Sequence, residues 1–300
     1  MSDSQPLISV ITPTYNRADF IVEAVESVLA QTYPHFELLI VDDGSTDNTR
    51  EVLEPYLKDG RIRLFYQENQ GQSVARNRGL DEATGDFVCF LDSDNAWLPD
   101  KFEKSLKAFD DNPSSDVVYG DFIVIDEQGR EIGTNRMKRH SGRITPHLLH
   151  DNFVSMNTTM TRRQCFVDMG GFDKNDRLAE DYGLWLRLST RYKFYYLPEL
   201  LGYYRVMENQ ISSDKDSRFE ANEAIVHHFI EAFPDALTIS ERKRGLSRFY
   251  VRKARYELSV RRLWSAWRGF VTAVKYDPFW LGPWRFLAKL AVSIPGGGRG

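Results

Sequence analysis

Apolar and polar positions in the first hundred residues follow two alternating periods. Leu7 to Thr12 is a β-branched apolar run, Pro13 to Arg17 a turn, and Ala18 to Ala30 an amphipathic stretch, which predicts strand, loop and helix. The unit recurs. Phe36 to Val41 is apolar, Asp42 to Thr46 is turn-rich, and Asp47 to Leu57 has helical spacing with Asp47 placed to cap it. Arg61 to Gln67 reads as a strand, Ser73 to Ala83 as a helix broken by Gly85, and Asp86 to Leu91 as another strand. Strands alternating with helices over short connections predict an α/β fold, a Rossmann-like, mainly parallel sheet flanked by helices on both faces. Ligands on such sheets lie at the carboxyl ends of the strands, so the polar clusters after Thr12, Val41, Gln67 and Leu91 are expected to converge on one crevice.

After Pro99 the pattern changes. A helix is expected over Lys101 to Asp110 and a strand over Val117 to Ile125, then a turn at Gln128 and Gly129, and mixed segments to about Tyr204. Beyond Ser212 long helical patterns take over, rich in Arg and Trp between Arg242 and Lys275, and a Pro295–Gly tail is expected to fray. The expected organisation is a domain over 1–212, divided into lobes 1–98 and 99–212, and a helical C-terminal segment over 213–300.

Composition narrows the class. With 42% hydrophobic and 27% charged residues and a net charge of −4, the chain reads as an ordinary globular protein, and nucleic acid is a poor partner for it. Its two cysteines, Cys89 and Cys165, provide neither a disulfide framework nor metal-ligand spacing and suit packing in a reducing compartment. No signal-peptide pattern opens the chain, and the apolar stretch from Phe286 to Ile294 is about half of the ~20 residues that span a bilayer. A cytoplasmic location follows as the expectation, with peripheral attachment to the membrane left open.

Four stretches carry candidate chemistry. In GDFVCFLDSDNAWLP a buried strand ends in Asp92 and Asp94, two carboxylates one residue apart that suit a hard divalent cation, Mn2+ or Mg2+. As a bland alternative, Asp-Ser-Asp-Asn simply turns the chain. In VDDGSTDNT, Asp42 or Asp43 is placed to accept N–H and O–H groups of a base or ribose, while Gly44 turns the chain. NQGQSVARNRGL puts Gly71 at a turn and Arg76 one turn from Ser73 facing inward, suited to a phosphate or base, with Arg78 more exposed. In LAEDYGLWLRLS, Glu180 and Asp181 open a helix; they either complement its dipole or supply a general base.

These motifs in this order, PTYNR at 13–17, VDDGSTDNT at 41–49, GQSVARNRGL at 71–80, LDSDNAW at 91–97 and Glu180–Asp181 with Trp185, resemble the family 2 glycosyltransferases over roughly residues 7–212. The resemblance implies a GT-A fold with the nucleotide-sugar donor in the first lobe and the acceptor in the second. It implies that Pro13, Tyr15, Arg17, Asp42 and Asp43 border the nucleoside, that Arg76 lies near base or diphosphate, and that Asp92 lies by the ribose or metal. Asp94 would be the chief metal ligand, Asp181 the base of an inverting displacement, and Glu180 and Trp185 further substrate contacts. A nucleoside-diphosphate donor, uridine by resemblance, and a glycan or lipid-linked saccharide acceptor are implied with it. Two positions depart from the pattern: Met207 stands where a metal-holding His is frequent after GYYR, and Asn95 where a further Asp is.

Aromatic residues from Phe270 to Phe286, interleaved with Lys275, Arg285 and Lys289, read either as a membrane-interfacial surface or as packing for the helical segment. Of the competing functions, a hydrolase nucleophile at Ser73 lacks the second glycine of its elbow, and a nucleotidyltransferase lacks a Gly-rich loop after the first strand. A non-catalytic sugar- or nucleotide-sugar-binding protein of the same fold stays open beside the enzyme.

Overall fold

The computed structural model describes residues 5–135, 137–176, 178–207 and 214–293. The chain divides into two compact units, residues 1–143 with 153–225, and residues 144–152 with 226–300. The expected boundary at 212/213 and the expected frayed tail both lie outside the described residues. Residues 144–152, within the span read as the acceptor lobe, group with the C-terminal unit.

The first unit begins with β1 (Ile8–Thr14), α1 (Ala18–Leu29), β2 (Phe36–Asp42), α2 (Thr49–Leu53) running into a 3-10 turn, β3 (Ile62–Tyr66), α3 (Gln72–Glu82) and β4 (Phe87–Phe90). β5 (Ala96–Trp97), α4 (Lys101–Asp111), β6 (Val117–Ile125) and β7 (Glu131–Thr134) follow. Past the short α5 (Thr145–Leu148) of the other unit come β8 (Met160–Arg162), α6 (Gln164–Met169), α7 (Glu180–Ser189) and β9 (Phe194–Arg205).

β1 is buried along its whole length and pairs in parallel with both β2 and β4, while β2 pairs in parallel with β3. The sheet order is β3-β2-β1-β4-β8-β6-β9-β5, with β7 on β6. Only the first four strands are uniformly parallel. β8 is antiparallel to β4 and β6, β5 is antiparallel to β9, and β9 runs parallel to β6. The sheet is therefore mixed, and the expectation of a mainly parallel one holds for its first half. In the second half β6 and β7 are joined by a short turn, which requires antiparallel pairing, and β8 is inserted between β4 and β6 rather than following either by a crossover onto its neighbour.

Both faces of the sheet are covered, which explains the near-continuous apolar runs of β1, β2 and β4. Val10, Leu38, Ile40 and Cys89 share a core with Val25 of α1 and Phe102 of α4. On the other face α3 lies close against β1. A Cβ added at Gly79 would sit 2.4 Å from the Ile11 side chain, so a glycine is required there. Lys101 is fully buried, donating to the Cys89 sulfur and the Thr159 carbonyl with its ammonium 4.1 Å from the Trp97 ring. Cys89 and Cys165 are both buried free thiols.

Helix α2 departs from the expected Asp47 to Leu57. It starts at Thr49, and Asp47 does not cap it; the Asp47 carboxylate instead takes the Thr49 N–H and hydroxyl and the Ala18 N–H, tying α2 to α1.

From α8 (Lys215–Ala232) onward the chain is helical, with α9 (Ile239–Ser259), α10 (Leu263–Tyr276) and α11 (Leu281–Ser293). Thr238 and Glu241 form a reciprocal capping box at the start of α9. In the second unit Val251, Ala254, Ala266, Phe270, Phe286 and Leu290 form a core of their own. No helix among the described residues is long and apolar enough to cross a membrane.

Candidate active site

The loops after β1, β2, β3 and β4 are stitched together at one end of the sheet. Asn16, in the left-handed region at φ 50°, accepts the Thr46 and Asp47 N–H groups through Oδ1 and donates its own N–H to the Ser45 hydroxyl. Asn tolerates that conformation better than most residues, and here its short amide holds two loops in register. Beside it, Pro13 is buried within β1, Tyr15 projects with 45% of its surface exposed, and the Arg17 N–H donates to the Thr49 hydroxyl.

Both acids of the second loop are buried and hydrogen-bonded. Asp42 accepts the Ser45 N–H at 2.8 Å and Arg50 Nε at 3.1 Å, and that guanidinium lies 4.1 Å over the Tyr66 ring. Asp43 reaches the third loop, where it accepts from Gln67 Nε2 at 2.7 Å and from the N–H groups of Gln70 and Gly71 at 3.0 and 2.8 Å. Three donors leave a single lone-pair site, on Oδ2, for any ligand. Gly71 is at φ 93°, which a side chain would strain, and so turns its N–H toward Asp43 at the start of α3. An open depression of about 520 Å3 lies alongside, lined by Gly44, Ser45, Arg50, Tyr66, Gln67, Glu68 and Asn69.

Arg76, on α3, ties down the fourth loop. Only 2% of it is exposed, and its two terminal nitrogens donate to Asp92 Oδ1 at 2.6 Å and to Glu180 Oε1 at 2.5 Å, with Phe172 beneath the guanidinium at 5.3 Å. The two carboxylates hold its pKa above the ordinary arginine value despite burial. Its neighbour Asn77 makes a reciprocal amide pair with the Phe172 backbone. Helix α3 thereby grips both the acid motif after β4 and the start of α7. The resemblance expected Arg76 at a base or diphosphate; in the structure both of its NH2 groups are committed to protein carboxylates.

The acids after β4 have different surroundings. Asp92 Oδ1 accepts Arg76 and, at 3.3 Å, Gln72; Oδ2 accepts Asn157 Nδ2 at 3.1 Å, and the side-chain oxygen of Asn157 receives the Asp92 N–H at 2.9 Å. The Asp94 carboxylate lies 3.9 Å from Arg17, with Arg205 a further positive charge nearby, and 15% of its side chain is exposed. Burial, reinforced by the charge on Asp92, pushes the Asp94 carboxyl up to about 6. Such a nearly dry carboxylate has the environment that a divalent cation relieves. Among the described residues no three His, Cys, Asp or Glu side chains group as a metal cluster.

Asn95 points away from this cluster, its Oδ1 accepting the Arg205 N–H, while Arg205 Nε donates to the Asp94 carbonyl. The buried Arg205 guanidinium also pairs with Glu23. At the start of α7, Asp181 Oδ1 accepts the Tyr182 N–H at 2.8 Å, next in sequence to the Arg76-bound Glu180. Trp185, expected beside substrate, is fully buried and packs edge-on against Phe194. It sits one turn beyond the acids on the apolar face of α7, so helical spacing carries it into the core. Ser73 is buried in the first turn of α3, with a whole loop between it and the end of β3 at Tyr66, and so lacks the sharp elbow of a nucleophile.

Motif reasoning does not mark Asn157, Arg50, Tyr66 or Arg205. Asn157 lies in a three-residue 3-10 turn with no periodicity to reveal it, whereas Arg205 ends the GYYR stretch and is visible there as a basic residue without an evident role.

Residues 9–169 match the profile of glycosyl transferase family 2. Over 220 residues the chain is 38% identical to the putative teichuronic acid biosynthesis glycosyltransferase TuaG of Bacillus subtilis, covering 72% of this chain and 85% of that protein. An uncharacterized glycosyltransferase of Rickettsia felis is 38% identical over 184 residues, which are 61% of this chain and 30% of the relative's length. Among solved structures, S. aureus TarS 1-349 in complex with UDP-GlcNAc superposes with a TM-score of 0.69 at 22% identity, over 95% of this chain and 88% of that one. The mannosyltransferase PcManGT from Pyrobaculum calidifontis, in complex with GDP-Man and Mn2+, gives 0.56 at 19% identity, over 97% and 81%. These likenesses show a shared fold, of the GT-A type.

Proposed function

The chain belongs to glycosyl transferase family 2, and on that premise we propose that it moves a sugar from a uridine-diphosphate donor to an acceptor hydroxyl with inversion, Asp181 serving as base. The observation that carries this reading is the double ion pair of Arg76, which joins Asp92 of the donor-side motif to the residue preceding Asp181. Tyr15 offers an exposed ring for a base to stack on, and Asp43, already oriented by three donors, keeps one acceptor site for a ring N–H or ribose hydroxyl. The binding of UDP-GlcNAc by TarS supports the choice of donor.

Asp94 is the residue that fits Mn2+ or Mg2+, and the Mn2+ bound with GDP-Man in PcManGT supports a divalent ion. Bound there with the donor, the ion would neutralise charge building on the departing diphosphate. Asp92, with three donors on its two oxygens, holds Arg76 and Asn157 in place beside it. Asp181 accepts the proton of the acceptor hydroxyl as that oxygen attacks the anomeric carbon opposite the leaving group. A single displacement of this kind inverts the centre.

The role in the name of the B. subtilis relative supports a glycan acceptor in cell-envelope polysaccharide synthesis, free or lipid-linked. Two buried free cysteines support a cytoplasmic site of action.

A thermal-shift screen of nucleotide sugars with and without Mn2+ tests the donor, since a ligand of the folded state raises the melting point. Transfer or donor hydrolysis by the native chain and by Asp181→Asn tests the chemistry, with a fall of about 10² or more expected for the variant. Equal rates would leave the non-catalytic binding protein, a reading that Met207 in place of a metal-holding His favours.

A further inference from the structure

We propose that the outer face of α10, together with the α10–α11 turn and the outer face of α11, is a docking surface for an anionic lipid bilayer. On α10, Trp264, Trp267, Arg268 and Lys275 fall at i, i+3, i+4 and i+11, one face of a helix, while Ala266, Phe270 and Ala273 fill the core opposite. Trp264 is 71% exposed and Trp267 40%. On α11, Leu281, Trp284 and Arg285 share an exposed face, with Phe286 and Leu290 buried behind it.

The two faces form one patch. Trp267 packs against Phe270 at 5.2 Å between ring centres, Phe270 against Trp284 at 5.8 Å, and the Trp284 indole N–H donates to the Pro278 carbonyl. Next to Pro278, Phe279 stands 94% exposed at the tip of the turn. A contiguous apolar patch of large aromatics on a folded unit marks an interaction site.

Charge selects the occupant. Between Ile239 and Leu290 the chain carries thirteen Lys and Arg against three Asp and Glu, a local +10 in a chain whose total is −4. Exposed Arg268, Lys275 and Arg285 rim the tryptophans. Indole rings beside guanidinium and ammonium groups suit the headgroup level of a membrane, where the rings enter the acyl boundary and the cations meet lipid phosphate. A nucleic-acid surface would need the cations without three exposed indoles and a phenyl ring. This surface is independent of the proposed sugar transfer.

Flotation of the full chain with vesicles of phosphatidylcholine, with and without an equal part of phosphatidylglycerol, tests the assignment. The protein is expected to float with the phosphatidylglycerol vesicles only, and to release as salt is raised. Two triple variants, Trp264→Ser/Trp267→Ser/Phe279→Ser and Arg268→Glu/Lys275→Glu/Arg285→Glu, should each weaken binding by about tenfold or more. Both should keep the native circular-dichroism melt; the second alters only solvent-facing charges and decides the matter if the first fails to fold. The proposal is overturned if the native chain stays below with phosphatidylglycerol present, or if both variants float like it. It is equally overturned by a dimer that the aromatic substitutions dissociate, or by duplex DNA binding that they leave intact.

Discussion

Arg76 shows how much one buried guanidinium can organise. Its two ion pairs lie at 2.5 and 2.6 Å, and only its Nε lacks a hydrogen-bond partner among the described residues. Arg76→Ala leaves Asp92 and Glu180 without their shared cation, and breaking such a pair costs about 3–5 kcal/mol, read as a lower urea midpoint. Arg76→Lys keeps the charge but has no fork to span two carboxylates. Its kcat is expected to fall with donor KM little changed; a direct diphosphate contact would show the reverse, a raised KM. Asp94 presents the opposite case. Its carboxyl titrates at about 6, above the ordinary value of 3.8, so the neutral form favours the fold below pH 4, and that contribution is lost as pH rises through 6. Asp94→Asn should therefore stabilise the metal-free protein at pH 8 by ~2 kcal/mol, do little at pH 4, and abolish the response of the melting point to Mn2+. A melting series over that range checks both effects.

At the scale of elements, the contact between α3 and β1 places the hub. Gly79 lets the helix approach until Ile11 lies where a side chain would start, and Arg76 sits one turn earlier on the same helix. Gly79→Val is expected to destabilise by about 1–3 kcal/mol through overpacking, and Ile11→Ala in the same chain to restore part of it, since contacting residues couple. A denaturation cycle of the four proteins measures the coupling. The elements of the first half were readable because each strand is an unbroken apolar run between turn residues: β1, α1, β2 and β4 begin or end within two residues of expectation, and β6 coincides with it. β9 was not resolved from its surroundings. Its middle carries Pro198 and the exposed Glu199, so neither a continuous nor an alternating pattern appears, although it forms the parallel partner of β6. Asp47 misled because it binds Thr49 from two residues away and also binds α1; tertiary contact won over local capping.

At the scale of the whole molecule, the candidate site was legible as motifs at strand ends and illegible as a network. Sequence order indicated that Asp43, Arg76 and Asp92 gather at one end of the sheet, because acids and glycines follow the strand ends. It did not indicate that Arg76 reaches a carboxylate 104 positions away, or that Asn157 completes Asp92, because pairings at such separation are products of the folded sheet. Trp185 was misplaced for the same reason, its neighbour Phe194 lying on β9.

The two free thiols give the folded chain an internal stopwatch. Cys89 lies in the central sheet against Lys101, burial raises its pKa, and Cys165 in α6 is pushed up to about 12, so neither offers thiolate to a reagent in the native state. A chromogenic disulfide added in excess should leave both untouched in buffer, then report the opening of α6 and of β4 as separate clocks when urea is raised. Release of one equivalent of chromophore ahead of the second would date the loosening of the sheet's flank before its centre gives way; prompt modification of both in buffer would contradict their burial.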